Sequence, residues 1–536
     1  MGYTGKRFKK LSTTEIEYIK HIYYEDMSHE QKMDVLTKKF DVSPRAIRKW
    51  WKEKLNLTEE YTTLPEQLIK PSKRELHRNT NVVLYTSCQN KTGINSGFLR
   101  NLVAYKKFLE EKHNKTVSIV IAPTRYRNPT NPSEDRDSKE EWWVDEVQDY
   151  LYYGKIQFGD TILSTNTRIS PTAKEPLTSF EVLAKDNNLV LPHSKIHFKT
   201  LPRFKNKPLR VMSTTGYISN KNYSDSKAGE TAYLHHSYGF VIIEKKDDDT
   251  CYVPRNVKVK SDGSFIDIVY SVSKHGVNKI KACEGFIWGD IHSSVIDRGV
   301  MNETLRINKL LSPKKTVLHD VFDGYTINPH ETKDMYIQRK KIREGKHLIE
   351  GEINESFALI SEIQDKVGGE INVSLSNHDV FLDRHINDFN WKKDLHNSST
   401  YLEYAKIQQT EDMEVYGSIY GYLLHREFKG EVKYLNYGSS LDIEGYECAL
   451  HGDHGTNGSR GSYKQFSRIN TKMISAHSHS PVMHNSVTVV GLTSMMHQYY
   501  NRKGISSWAW AHSVIHSNGK NQLLVFDDSK KISSLI

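Results

Sequence analysis

Apolar positions follow two different rhythms along this chain. Near the N-terminus they recur every three or four residues. Ile16, Ile19 and Tyr23 follow Thr14-x-x-Glu17, which can serve as a capping box. Ser28-x-x-Gln31 opens a second helical stretch with Met33, Leu36 and Phe40. After a short Asp41-Val42 turn, Ser43 is placed to cap a third helix with Pro44 at its first position, running from Arg45 to Leu55. Ile47, Trp51 and Leu55 form its apolar stripe, and Arg45, Arg48, Lys49 and Lys52 project from the other side.

Further on the apolar residues gather into short runs. Val82-Val83-Leu84-Tyr85, a helix carrying Phe98, Leu102, Tyr105 and Leu109, and Val117 to Ile121 spell a strand-helix-strand unit. Phe240 to Ile243 and Cys251 to Val253 flank a charged turn, and Asp262-Gly263 marks another hairpin before Phe265 to Val269. The paired His235-His236, read as strand residues, would point to opposite faces and share no metal. The resulting division is residues 1–56, helical; 57–81, a polar linker with Pro65 and Pro71; 82–280, mixed α/β of unassigned role; and 281–536, the chemical part. The fold class expected is α/β in a multidomain, α+β arrangement.

In that last part, apolar runs repeatedly end in acids and imidazoles. Phe286-Ile287-Trp288 leads into Gly289-Asp290-Ile291-His292, and Thr316-Val317-Leu318 into His319-Asp320-Val321-Phe322-Asp323. Ile371 to Leu375 precedes Ser376-Asn377-His378-Asp379, Ala449-Leu450 precedes His451, and Ala476-His477-Ser478-His479 closes the series. A lone histidine at a strand end is usually a satisfied surface or core residue, but five such clusters after strand-like runs form a pattern. Ligands sit at the C-terminal mouths of strands in α/β sheets, and mixed carboxylate, imidazole and amide donors suit divalent cations.

Composition sharpens this picture at three points. Of 25 histidines, 16 lie from His292 onward, the enrichment an acid-base or metal centre would produce. Four widely spaced cysteines, without a Cys-x-x-Cys pair, suggest neither a disulfide framework nor a zinc knuckle and fit a reducing cytoplasm. A formal charge of +10 favours a polyanionic partner. No apolar run approaches the ~20 residues a membrane span requires, and the first residues lack a secretory pattern. Residues of about 82–280 carry no G-x-x-x-x-G-K-S/T or G-x-G-x-x-G loop for a nucleotide.

Two resemblances follow. The N-terminal helices, tight turn and basic third helix resemble a helix-turn-helix, which implies DNA contact through Arg45, Arg48, Lys49 and Lys52; a helical docking module with a solvated basic face is the alternative. Residues of about 283–536 resemble the calcineurin-like metallophosphoesterase superfamily, whose motif order is D-x-H, G-D-x-x-D, G-N-H-D/E, H and G-H-x-H. The resemblance implies a β-sandwich with flanking helices and two divalent ions, manganese foremost and magnesium next. Asp290, His292 and His479 would hold one ion, Asn377, His451 and His477 the other, and Asp320 would bridge them. His378 would act as general acid or transition-state stabiliser, Asp323 would orient it, and Asp379 would buttress the loop. Departures are His319, Ser376 and Ala476 where the family has glycine; His319, the bulkiest, could shift its turn or reach the substrate.

The combination points to a metal-dependent DNase with DNA as partner, no membrane association and a homo-oligomer among its possible states. The rivals are a phosphatase or cyclic-nucleotide phosphodiesterase using the same metals, and a non-enzymatic DNA-binding regulator with a degenerate catalytic half. The insertion from about Phe381 to Gly430, with Arg384, His385, Trp391, Lys392 and Lys393, reads equally as a substrate-gripping lid, a solvated cap or an oligomer contact. Arg460, Lys464 and Arg468 are candidate phosphate contacts.

Overall fold

Ser12 sets the start of the first helix, α1 (Thr13–Tyr24). In the computed structural model, its backbone N–H donates to Glu15 Oε2 at 2.8 Å and the Glu15 N–H donates back to Ser12 Oγ at 3.2 Å. The capping box is therefore Ser12/Glu15, two residues before the expected Thr14/Glu17, and Ile19 and Ile22 become the buried stripe. The structure describes residues 11–24, 29–51, 55, 74–128, 130, 141–329, 331, 334–498, 501 and 504–536. The chain divides into two units, Met1–Leu68 and Ile69–Ile536.

The first unit continues with α2 (His29–Phe40) and α3 (Pro44–Lys49), and Ser43 Oγ accepts from the Ala46 N–H at 3.3 Å as the sequence indicates. The α-helix spans Pro44–Lys49 of the run expected from Arg45 to Leu55. Trp50 and Trp51 are both buried, and residues 52–54 of the expected run to Leu55 lie outside the described residues. Phe40 meets Trp50 edge-on at 5.8 Å, so Trp50 belongs to the core of this unit. Arg45, Arg48 and Lys49 are exposed; Lys52, and Leu57 to Lys73 of the linker, lie outside the described residues.

The second unit is mixed α/β, with four sheets among the described residues. Strands Val82–Gln89 and Val117–Thr124 are parallel neighbours joined by the helix Ser96–His113, the expected strand-helix-strand unit. Gly239–Glu244 adds antiparallel to the first of them, and its hairpin partner is Arg255–Lys258 rather than Cys251–Val253. Pro254 has no N–H to extend a ladder, and only Cys251 bridges, to Lys245. His235 ends the helix Lys227–His235, and His236 is turned to Tyr223 Oη at 2.6 Å, so neither lies on a strand.

A six-stranded sheet carries the chemical part in the order Lys433–Leu435, Glu370–Ser374, Lys315–His319, Gly285–Ile287, Ala511–Ile515, Asn521–Val525. The first four strands run parallel, the rest antiparallel. Ile287, Val317 and Ile515 of this sheet pack against Ile443, Tyr446 and Ile474 on strands of a ten-stranded sheet, and against Val490 just beyond one of them. That second sheet continues through Val482–His484 into Phe198–Thr200, so segments before and after residue 280 share one ladder. No helix of the described residues is long and apolar enough to cross a membrane.

A buried ionic knot ties the same two segments together. Arg255 donates from Nε to Asp267 Oδ1 at 2.9 Å and from Nη2 to Oδ2 at 2.8 Å, and pairs with Glu244 through Nη1. Glu244 also accepts from Ser533 Oγ at 2.6 Å, and Asp267 accepts from Gln522 Nε2 at 2.9 Å. Removing the cation would strand two buried carboxylates. Arg255→Met should therefore lower the unfolding free energy of this unit by about 3–5 kcal/mol, read as a reduced urea midpoint at unchanged slope.

Candidate metal centre

The strands Gly285–Ile287 and Lys315–His319 keep pairing beyond their ends. Trp288 N–H reaches Val317 O at 2.9 Å, Ile291 N–H reaches His319 O at 3.0 Å, and His292 N–H reaches Asp320 O at 2.7 Å. This brings the Asp290-x-His292 loop alongside Asp320. Gly289 is required for that approach, because a Cβ there would lie 2.6 Å from the Gly491 backbone and 2.7 Å from Ala511 O. Its N–H donates to His512 Nδ1 at 2.9 Å. His512 Nε2 must then carry the proton and donate to Thr304 Oγ1 at 2.8 Å.

Around this junction the side chains converge. Asp290 Oδ2 lies 2.9 Å from His479 Nε2, which faces His292 Nε2 at 3.2 Å. Asp320 Oδ2 lies 3.3 Å from His451 Nε2 and 3.8 Å from His292 Nε2, and His451 Nδ1 is 3.9 Å from Asp290 Oδ1. The His477 ring stands 5.1 Å from that of His451. Asp290, His292, Asp320 and His479 each offer a donor atom within 4.8 Å of the others, all four buried, so the group is able to bind a metal ion.

Three further observations fit that reading. Among the described residues, no donor meets either oxygen of Asp290 or Asp320, or Asn377 Oδ1, with hydrogen-bonding geometry, and all five atoms are buried. Buried anionic oxygens left this way are costly unless something else neutralises them. Second, His292, Asp320, His477 and His479 have φ of 46°, 48°, 68° and 56°, a region L-residues enter at a cost and which is concentrated at functional sites. Third, the donors that converge are carboxylates and imidazoles, a set suited to a divalent cation.

The electrostatics are those of a dense acid-imidazole cluster. Burial works to raise Asp290, but the close imidazole of His479 and the nearby His451 outweigh it and hold the carboxyl below its ordinary range. Asp320 is held well below its range, burial being overcome chiefly by His451. Burial would lower both His292 and His451, yet Asp323 and Asp320 lift the first to about 9, and Asp320 lifts the second to about 10. His477 is pushed down to about 4 by burial and by His451.

His378 and Asp323 stand beside this group with a division of labour the sequence did not indicate. His378 Nδ1 donates to the backbone carbonyl of Asp323 at 2.5 Å, whereas the Asp323 carboxylate turns to His292 Nδ1 at 3.0 Å and lies 3.7 Å from His378. Asp323 thus orients His378 through its main chain and His292 through its side chain. Asp379 Oδ2 accepts from the Ser376 N–H at 3.0 Å and from Tyr434 Oη at 2.9 Å, which fixes the Asn377-His378 turn. His319 is fully buried with its ring 5.6 Å from that of His451.

Other expectations resolve more simply. His451 follows the loop Cys448–Leu450 after a two-residue strand, Tyr446–Glu447, instead of a strand at Ala449-Leu450. Trp391 is buried inside the helical insertion with Nε1 bonded to Ile386 O at 3.1 Å, while Arg384, Lys392 and Lys393 are exposed. Arg460, Lys464 and Arg468 are exposed as well. Sequence reasoning missed Glu352, whose buried carboxylate accepts from Tyr325 N–H at 2.6 Å and Thr326 N–H at 2.8 Å and so pins the loop after Asp323. It also missed His512 and Trp508, the latter edge-on to His479 at 4.3 Å. Glu352 sits in an amphipathic helix, Ile349–Lys366, where an acid gives no signal of its own.

No family model matches the chain. It is 26% identical over 469 residues to Protein A1 of Escherichia phage T5, covering 83% of this chain and 82% of that protein. Among solved structures it is similar to Vps29 of Chaetomium thermophilum at 12% identity, covering 38% of this chain and 96% of that one with a TM-score of 0.18, a likeness too slight to bear on fold or function.

A cation that takes the lone pairs of His292 and His451 must displace their protons, because both stay charged at neutral pH. Manganese binding, measured by calorimetry in two buffers of different ionisation enthalpy, should release protons. Its affinity should rise between pH 7 and 9 by up to about tenfold per pH unit for each proton displaced. Binding without proton release and independent of pH would contradict this assignment.

Proposed function

We propose that this chain is a two-metal DNase of the calcineurin-like metallophosphoesterase kind, encoded by a T5-like bacteriophage and degrading host DNA in the bacterial cytoplasm. The observation that carries the reading is the meeting of Asp290, His292, Asp320, His451, His477 and His479, drawn from four distant stretches of chain, with the two carboxylates fully buried among the imidazoles. The similarity to a phage T5 protein over most of both chains supports the phage origin. The sheet-on-sheet packing behind the site supports the sandwich assignment.

Asp290, His292 and His479 would hold one ion, Asn377, His451 and His477 the second, and Asp320 would join them; manganese is the leading choice, then magnesium. When bound, such ions would supply Lewis-acid activation of water and charge stabilisation for a displacement at phosphorus. The protein's own part is positional. Asp323 holds His292 through its carboxylate, and its carbonyl fixes His378 Nδ1–H so that Nε2 is the nitrogen left for the leaving oxygen. Asp379 and Tyr434 hold the turn that carries both Asn377 and His378.

In the N-terminal unit, α3 behind its Ser43 cap carries exposed Arg45, Arg48 and Lys49, and Lys52 follows in sequence. A helix-turn-helix role would set these cations against DNA phosphates and bases. Assembly as a homo-oligomer is part of the same proposal.

Two measurements test it. With manganese, the full chain should nick supercoiled DNA, and Asp320→Ala should reduce nicking by about 10³-fold or more; persistent cleavage would overturn the site, and hydrolysis of a phosphomonoester without nicking would favour a phosphatase. Replacing Arg45, Arg48 and Lys49 together with alanine should weaken duplex binding and flatten its salt dependence by about one unit of slope for each phosphate no longer neutralised. Turnover of a small chromogenic phosphodiester should be unchanged.

A further inference from the structure

A second group of metal-type donors, sharing no residue with the Asp290–Asp320 cluster, is assembled by strand register. Strands Phe198–Thr200 and Val482–His484 are antiparallel, with Met483 opposite Phe198 and Val482 opposite Lys199. The next rung sets His484 opposite His197. Directly opposed residues share a sheet face with side chains in contact, and the two rings indeed lie 4.5 Å apart. Glu175, from a loop of the same unit, brings Oε1 to 3.0 Å from His484 Nε2.

Asn485, at φ 52° in the turn between Val482–His484 and Val487–Val489, places Oδ1 3.2 Å from His197 Nε2 and its amide nitrogen 3.5 Å from His484 Nδ1. Both imidazoles are buried, at 2% and 8% exposure, whereas the Glu175 side chain is 41% exposed. The donor atoms of Glu175, His197 and His484 all lie within 4.8 Å of one another. Ligands held at about 2.0–2.1 Å from one ion span up to roughly twice that, so small side-chain shifts close the set.

We propose that Glu175, His197 and His484 form a separate site for one divalent ion of the zinc class, with a solvent position on the Glu175 side. Two histidines and a glutamate are a donor set such an ion favours, and three protein ligands leave room for water. The ion would clasp the Glu175 loop to the two strands that join the segments on either side of residue 280. A hydrogen-bonded Glu175–His484 pair would by itself need no second imidazole across the ladder.

The test loads the full chain with zinc, desalts it and counts bound metal. Wild type should hold one more zinc per chain than Glu175→Ala or His484→Ala, whatever the main centre holds. An Asp290→Ala/Asp320→Ala variant should still take up one cobalt ion with the visible absorption of a four-coordinate site, and adding Glu175→Ala should abolish that band. Glu175 is at the surface, so its variant decides if His484→Ala fails to fold. Equal zinc in wild type and Glu175→Ala, or a cobalt band indifferent to that substitution, overturns the site. Because the readout is a difference of one ion, failure of the two-metal reading would lower the wild-type count and leave that difference intact.

Discussion

Asp290 and Asp320 lie side by side at the mouths of two strands, at 0% and 1% exposure, with the imidazoles of His479 and His451 at 2.9 Å and 3.3 Å from their oxygens. Two carboxylates in so dry a place repel each other, and each has lost its water. Much else around them follows from compensating that charge. His451 and His292 are drawn toward protonation, His479 leans on Asp290, and four residues accept left-handed backbone to bring their donors inward. Asp379 pushed up to about 8, first by burial and then by Asp320, shows the same field reaching the next turn.

Holding such a cluster demands a stiff frame. Parallel strands buried on both faces supply it, and their ends form the crevice in which α/β sheets place ligands. Contacts behind the strands then fix the positions of the site residues. Gly289 lets two backbones touch, His512 hangs from Thr304 to hold it, and Glu352 ties down the loop beyond Asp323. The Arg255 knot and the ten-stranded sheet connect this frame to the segment before residue 280, which therefore shares the framework behind the site.

What was legible in the sequence was local. Strand runs ending in Asp-x-His or Asn-His-Asp announce their own chemistry, and periodicity found the helix Ser96–His113 and its flanking strands. Errors came where two local solutions compete, as with Ser12 against Thr14 for the cap, or Pro254 shifting a hairpin strand. Relations across long sequence separations left no trace in periodicity. The pairing of Phe198–Thr200 with Val482–His484, and the turn of the Asp323 carboxylate toward His292, depend on packing between segments that nothing nearby encodes.

The proposed chemistry requires that two ions share the Asp320 carboxylate. Anomalous diffraction at the manganese edge, from crystals of the full chain grown with manganese, addresses this without relying on activity. Two peaks about 3.5–4 Å apart are expected, one beside Asp290 and His479, the other beside His451 and His477. A single peak, or none within bonding distance of Asp320, would contradict the shared-carboxylate arrangement.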